Sequence, residues 1–150
     1  MLSDKQLAPL SPLARAFRIL FLADLGSVPH AETFTDRYEL TIPAADPSVG
    51  EICVWDDEDE LTIHLGEHHH WHVPLFMYED ESQATRPALA AATAIKDIRN
   101  VLEGRTVLRV RRHEGRVVSS TTYDRTAAKV VPPSPEDSEY LWTGPRTEVP

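Results

Sequence analysis

A single cysteine in 150 residues excludes an internal disulfide, so the fold does not rest on oxidation and the chain suits a reducing compartment. Long apolar runs are missing too. The stretch from Phe17 to Leu25 is broken by Asp24 and falls well short of the roughly 20 residues a membrane helix needs. Asp4, two prolines and Arg15 precede it, Arg18 lies within it, and no small-residue cleavage site ends it, so no secretory leader is expected. The expectation is a cytoplasmic protein with no membrane partner. Glycines are few, at 6, and none builds a phosphate-cradling loop or a dinucleotide fingerprint. G-x-S-x-G, S-x-x-K and H-E-x-x-H are likewise missing, which removes the usual routes to nucleophilic or zinc hydrolysis.

The most telling absence is cationic. Between residues 38 and 85 there are 12 acids and not one lysine or arginine. Residues 86–129 reverse the sign with 10 bases against 4 acids, and residues 130–150 carry 4 acids against 1 base, within a net charge of −9. Such a field repels phosphate and makes nucleic acid an unlikely partner for the molecule as a whole. A plainer reading is that acidic and basic strands neighbour each other in one sheet.

What is present fits one α+β domain, and a chain of this length buries roughly 70% of its unfolded surface. Residues 1–10, with Pro9 and Pro12 close together, are expected to be frayed or weakly ordered. Ser11 then Pro12 is a hydroxyl cap followed by proline in the first turn. Leu13, Phe17, Leu20 and Phe21 recur at helical spacing, and Gly26 stops the helix. Arg15 and Arg18 are expected to face solvent. Arg37–Ile42 alternates as a strand closed by Pro43, and Glu51–Trp55 and Glu60–Leu65 form strands about an acidic turn. A second helix over Ala88–Glu103 carries Leu89, Ala92, Ile95, Ile98 and Leu102 as its stripe, with Ala91 and Val101 beside them and Gly104 at its end. Thr106–Arg112 and Arg116–Tyr123 form a hairpin about His113-Glu114-Gly115.

The fold class predicted is therefore α+β in the order α-β-β-β-β-α-β-β. It has an antiparallel sheet of about 5–6 strands, one helix across a face and the N-terminal helix beside it. The domain spans residues 1–131. Residues 132–150 form a proline-rich tail that docks, if at all, through Tyr140-Leu141-Trp142.

Five of the 7 histidines fall between Gly50 and Val73. A three-residue loop Gly66-Glu67-His68 sets Leu65 against His69, Ile63 against Trp71 and Leu61 against Val73, all on one side. His64 then opposes His70 and Thr62 opposes His72 on the other. A two-residue loop would mix burial with charge, so the first register is predicted, with His69 on the core side.

His64, His70 and His72 on one face invite a metal reading, with zinc or another divalent transition metal as cofactor. No fourth ligand stands out, and a half-buried polar face whose histidines bond each other, water or carboxylates explains the pattern with less. The acidic turn Asp56-Asp57-Glu58-Asp59-Glu60 lacks the glycine and alternation of a calcium loop and reads as a solvated turn. Cys53 lies among apolar neighbours, where thiols are usually inert. The arginines 105–116 lack interleaved aromatics and are expected to pair with the protein's own acids.

The leading expectation is a non-enzymatic protein with no cofactor. Asp56, Asp57, Glu58, Asp59, Glu60, His64, His70 and His72 would present an acidic, histidine-rich surface to a basic protein partner, as small inhibitors and toxin-immunity proteins do. The apolar run Leu75, Phe76, Met77 and Tyr78 offers a contact for a homo-oligomer.

Overall fold

The computed structural model describes residues 2–147; Met1 and residues 148–150, the end of the proline-rich stretch, lie outside them. Asp4–Leu7 forms a short helix α1, and Pro12–Leu25 forms α2. Ser11 caps α2 by accepting a hydrogen bond from the Ala14 amide at 3.0 Å, the cap that the Ser-Pro pair announces. Ala31–Phe34 (β1), Tyr38–Ile42 (β2), Ile52–Asp56 (β3), Glu60–Leu65 (β4) and His69–Pro74 (β5) follow as an antiparallel meander in chain order. A 3-10 turn at Leu75–Tyr78 leads to α3, Arg86–Leu102. The chain ends in β6 (Thr106–His113), β7 (Arg116–Asp124), β8 (Asp137–Leu141) and β9 (Gly144–Pro145), arranged β7-β6-β8-β9.

The α+β class and the broad element order hold. The strands, however, divide into two sheets of 5 and 4 where a single sheet was predicted. Their inward residues alternate as a half-covered antiparallel sheet requires. Leu40, Val54, Ile63 and Trp71 form one cross-strand row, and Ile42, Ile52, Leu65 and His69 form the next. Phe17 and Phe21 of α2 and Ala94, Ile95 and Ile98 of α3 close this face in one core cluster. Arg99 ties α3 to α2 by an ion pair to Asp24 at 2.9 Å.

Several local expectations are corrected. Residues 2–10 are ordered around α1, because Leu2 and Leu10 join the core. Arg18 does not face solvent: its guanidinium grips Glu32 of β1 at 2.7 Å, and Glu32 also accepts from the Tyr38 hydroxyl at 2.9 Å. Ala92 is exposed, whereas Ala91, Ile95, Ile98 and Val101 of the expected face are buried and Ala90 and Ala94 join them. The turn between β6 and β7 is the two-residue Glu114-Gly115, both at positive φ and closed by the His113–Arg116 pair.

Part of the proline-rich tail is a strand. β8 pairs with β6, setting Glu139 opposite Arg109 and Asp137 opposite Arg111. Arg109 and Arg111 of the basic strand thus pair with acids of the tail, not with those of residues 38–85. Arg111 donates to Asp137 at 3.0 Å and holds that carboxyl down at about 2. Tyr140 and Trp142 lie buried in the core. Of the run Leu75–Tyr78, Leu75 and Tyr78 are half-buried against the core, and only Phe76 and Met77 stand exposed.

Candidate functional site

The side chains that alternate away from the core form the outer face of the first sheet. Two rows cross it. One reads Thr41, Cys53, His64, His70, and the other Glu39, Trp55, Thr62, His72. The β4–β5 register is the one the three-residue loop predicts, with His64 opposite His70 and Thr62 opposite His72. His69 points the other way, and its Nδ1 lies 3.0 Å from Ser120 Oγ of β7.

The histidines are stacked but not convergent. The His64 and His70 rings lie 5.4 Å apart, and His70 and His72 meet edge to face at 5.3 Å. His72 is taken up locally, its Nδ1 3.0 Å from Glu60 Oε1 and 3.2 Å from Thr62 Oγ1. A zinc ion needs imidazole nitrogens about 2.0–2.1 Å from one point. Among the described residues no three His, Cys, Asp or Glu side chains converge on a metal position. Strand spacing keeps the three rings side by side, and His72 lies against Glu60.

His64 packs instead on Trp55, with ring centroids 4.0 Å apart, while the Arg37 guanidinium carbon lies 3.9 Å from the Trp55 centroid. Among the described residues neither Trp55 Nε1 nor His64 Nε2 has a hydrogen-bond partner, and both atoms are shielded from water. Burial pushes the His64 pKa below its ordinary 6.5, and the neighbouring His70 and Arg37 push it further the same way. His64 is accordingly a neutral ring at physiological pH.

Beside this pair opens a cleft of about 700 Å³, lined among others by Glu51, Cys53, Trp55, His64, Glu67 and His68. The Cys53 thiol lies 3.4 Å from Glu51, 3.5 Å from Thr41 and 3.8 Å from Glu39. Burial pushes its pKa up to about 11; the Thr41 hydrogen bond opposes this, and Glu51 and then Glu39 add to the rise. That is the reverse of an activated nucleophile, which needs a cation or a base beside it. His64 faces Cys53 in the register, but the thiol's polar neighbours are acids and a hydroxyl.

The acidic turn is less solvated than its composition suggests. Asp56 is only 8% exposed and points inward, accepting hydrogen bonds from Ser11 N, Ser11 Oγ and the Glu58 amide. Asp57 pairs with Arg37 at 2.8 Å and accepts from Thr62. Glu60 meets His72. Glu58 and Asp59 remain exposed at the tip. The residues that sequence reasoning passed over are Glu39, Glu51 and Trp55 on the face itself. A signal for them existed: the alternation that buries Ile52 and Val54 turns Cys53 and Trp55 outward.

No helix among the described residues is long and apolar enough to cross a membrane. No protein-family model, curated protein or solved structure matches the chain.

Proposed function

We propose that this chain is a non-enzymatic binding protein whose outer sheet face receives a basic segment of a protein partner. One observation carries the reading. Glu39, Glu51 and Glu67, with Glu58 and Asp59 at the tip, have no cationic partner among the described residues, whereas β6's Arg109 and Arg111 are each paired with an acid of β8. The one guanidinium over the face, Arg37, is already committed to Asp57 and Trp55. Of these acids, Glu51 and Glu67 line the cleft walled by the Trp55 ring and Glu39 lies opposite Trp55 in the register, while Glu58 and Asp59 lie at the other end of the strands. Unpaired carboxylates beside an aromatic ring suit lysine and arginine side chains. An inhibitor that covers a basic active site, in the manner of an immunity protein, is the setting such a face fits.

The test is a titration of ¹⁵N-labelled protein with a nona-arginine peptide, with nona-glutamate as control. Amide shifts should cluster at Thr41, Cys53, Trp55 and His64, and affinity should fall steeply with salt. Glu39→Gln/Glu51→Gln/Glu67→Gln should abolish binding, and Glu58→Lys/Asp59→Lys should slow association while leaving the fold intact. Unchanged binding by the triple variant would defeat the proposal.

A further inference from the structure

On the second sheet, away from the acidic face, two guanidiniums share one carboxylate. Arg109 and Glu139 oppose each other on β6 and β8, and Arg109 Nε donates to Glu139 Oε2 at 2.9 Å. Tyr123 of β7 donates to the same oxygen at 2.6 Å. Arg146, whose amide continues the β8 pairing by donating to the Glu139 carbonyl at 2.8 Å, places Nη1 2.9 Å from the Tyr123 hydroxyl and 3.6 Å from Glu139 Oε1. The Arg109, Arg146 and Glu139 side chains are about nine-tenths buried, at 10%, 10% and 9% exposure.

Among the described residues the cluster does not balance. Two positive charges meet one negative charge and a phenol. Glu139 Oε2 is saturated, so Arg109 Nη2, although 2.9 Å from that oxygen, has no aligned acceptor. Arg146 Nε has none either. Buried donors without acceptors and a buried surplus charge are costly features that a protein rarely keeps without a partner for them. Both arginines line a cleft of about 380 Å³, as do Tyr123 and the exposed Arg125. The opposite wall is apolar, formed by Ala127, Ala128, Val130, Val131, Pro132 and Pro133, and belongs to no helix or strand. That volume lies in the range of small-molecule sites.

We propose that this cleft binds a small organic acid, its carboxylate neutralising the Arg109–Arg146 surplus and its apolar tail lying along the Val130–Pro133 wall. Among the described residues the surplus of Arg109, Arg146 and Glu139 is a single unit, which matches a monocarboxylate and not a phosphate dianion. A guanidinium fork receives a carboxylate in the geometry that strengthens both hydrogen bonds. The site is separate from the acidic face, so its failure leaves that reading untouched.

Hexanoate is the probe, with acetate, inorganic phosphate and butylamine as comparisons. Calorimetry on the full chain should show saturable hexanoate binding, and NMR should show the Nε–H signals of Arg109 and Arg146 moving with it. Acetate should bind at least about tenfold more weakly, since each buried methylene is worth about fourfold in affinity. Ala128→Trp, which fills the cleft from its exposed wall, should abolish the response while keeping the parent's melting temperature; Arg146→Gln should weaken it at least about tenfold, the loss of a charge-assisted pair. Unmoved arginine signals, an undiminished response in Ala128→Trp, or phosphate or butylamine binding as well as hexanoate would each overturn the assignment.

Discussion

Ser11 and Asp56, 45 positions apart, are joined by two hydrogen bonds, the Ser11 hydroxyl donating to Oδ1 at 2.7 Å and its amide to Oδ2 at 3.2 Å. The same hydroxyl oxygen caps α2, so the buried carboxylate pins the helix start to the end of β3. Asp56→Ala should cost about 3 kcal/mol in urea denaturation, because three donors lose a charged acceptor in a buried setting. Ser11→Ala should cost about 1 kcal/mol through the lost cap, and the double variant less than the sum of the two. A parent-like urea midpoint for Asp56→Ala would show that the link is not structural.

That pair also marks where the sequence was legible and where it was not. The β4–β5 register could be read because apolar and polar residues alternate without interruption on both strands, and a slip of one residue would bury His70. Asp56 hid inside a run of acids, although it continues the inward period of Ile52 and Val54 by one step. β1 could not be read, since its Ala-Glu-Thr-Phe edge carries little apolar pattern and is held by the Glu32 contacts to Arg18 and Tyr38. β8 was invisible for a different reason. Its acids are matched to the arginines of β6, about 30 positions away, and no local period announces a partner so distant. The unpaired charges of the outer face became visible only once those internal pairs were subtracted.

Gly66 fixes the mouth of the outer cleft. Its amide donates to the Glu51 carbonyl at 2.7 Å, its φ is +57°, and a Cβ there would lie 2.2 Å from the Val49 carbonyl oxygen. Gly66→Ala should therefore cost about 3 kcal/mol, combining a left-handed backbone with an overpacked contact. Gly104→Ala is the control, because its φ is +71° but nothing lies within 4 Å; about 1 kcal/mol is expected there. Equal losses in thermal denaturation would mean that the close approach of these loops contributes nothing.

His64 and His69 set a direction for the pH dependence of stability. Burial lowers both below the ordinary 6.5, with His70 adding to each. As pH falls through 6.5 the unfolded chain takes up these protons before the folded one does, so stability drops from there down to the folded-state values and is fully present above 6.5. Proton NMR should place both titration midpoints below 6.5, and His64→Gln/His69→Gln should flatten the fall in melting temperature. Midpoints at or above 6.5 would contradict the packing of these rings.

Cys53 reports on the outer face from within. With its pKa raised from 9.0 to about 11, the thiolate fraction at a given pH falls about a hundredfold, while the higher basicity returns roughly tenfold in nucleophilicity. Alkylation by iodoacetamide should therefore run about tenfold slower than for a free cysteine, before any shielding is counted. Burial is the larger cause and survives substitution, so Glu39→Gln/Glu51→Gln should speed the reaction several-fold without restoring the rate of an exposed thiol. The pH profile should shift downward in that variant as well, which a simple loosening of the strand would not produce. If the double variant alkylates at the parent's rate and pH, the two carboxylates exert no field across this face, and the case for a basic partner loses its electrostatic support.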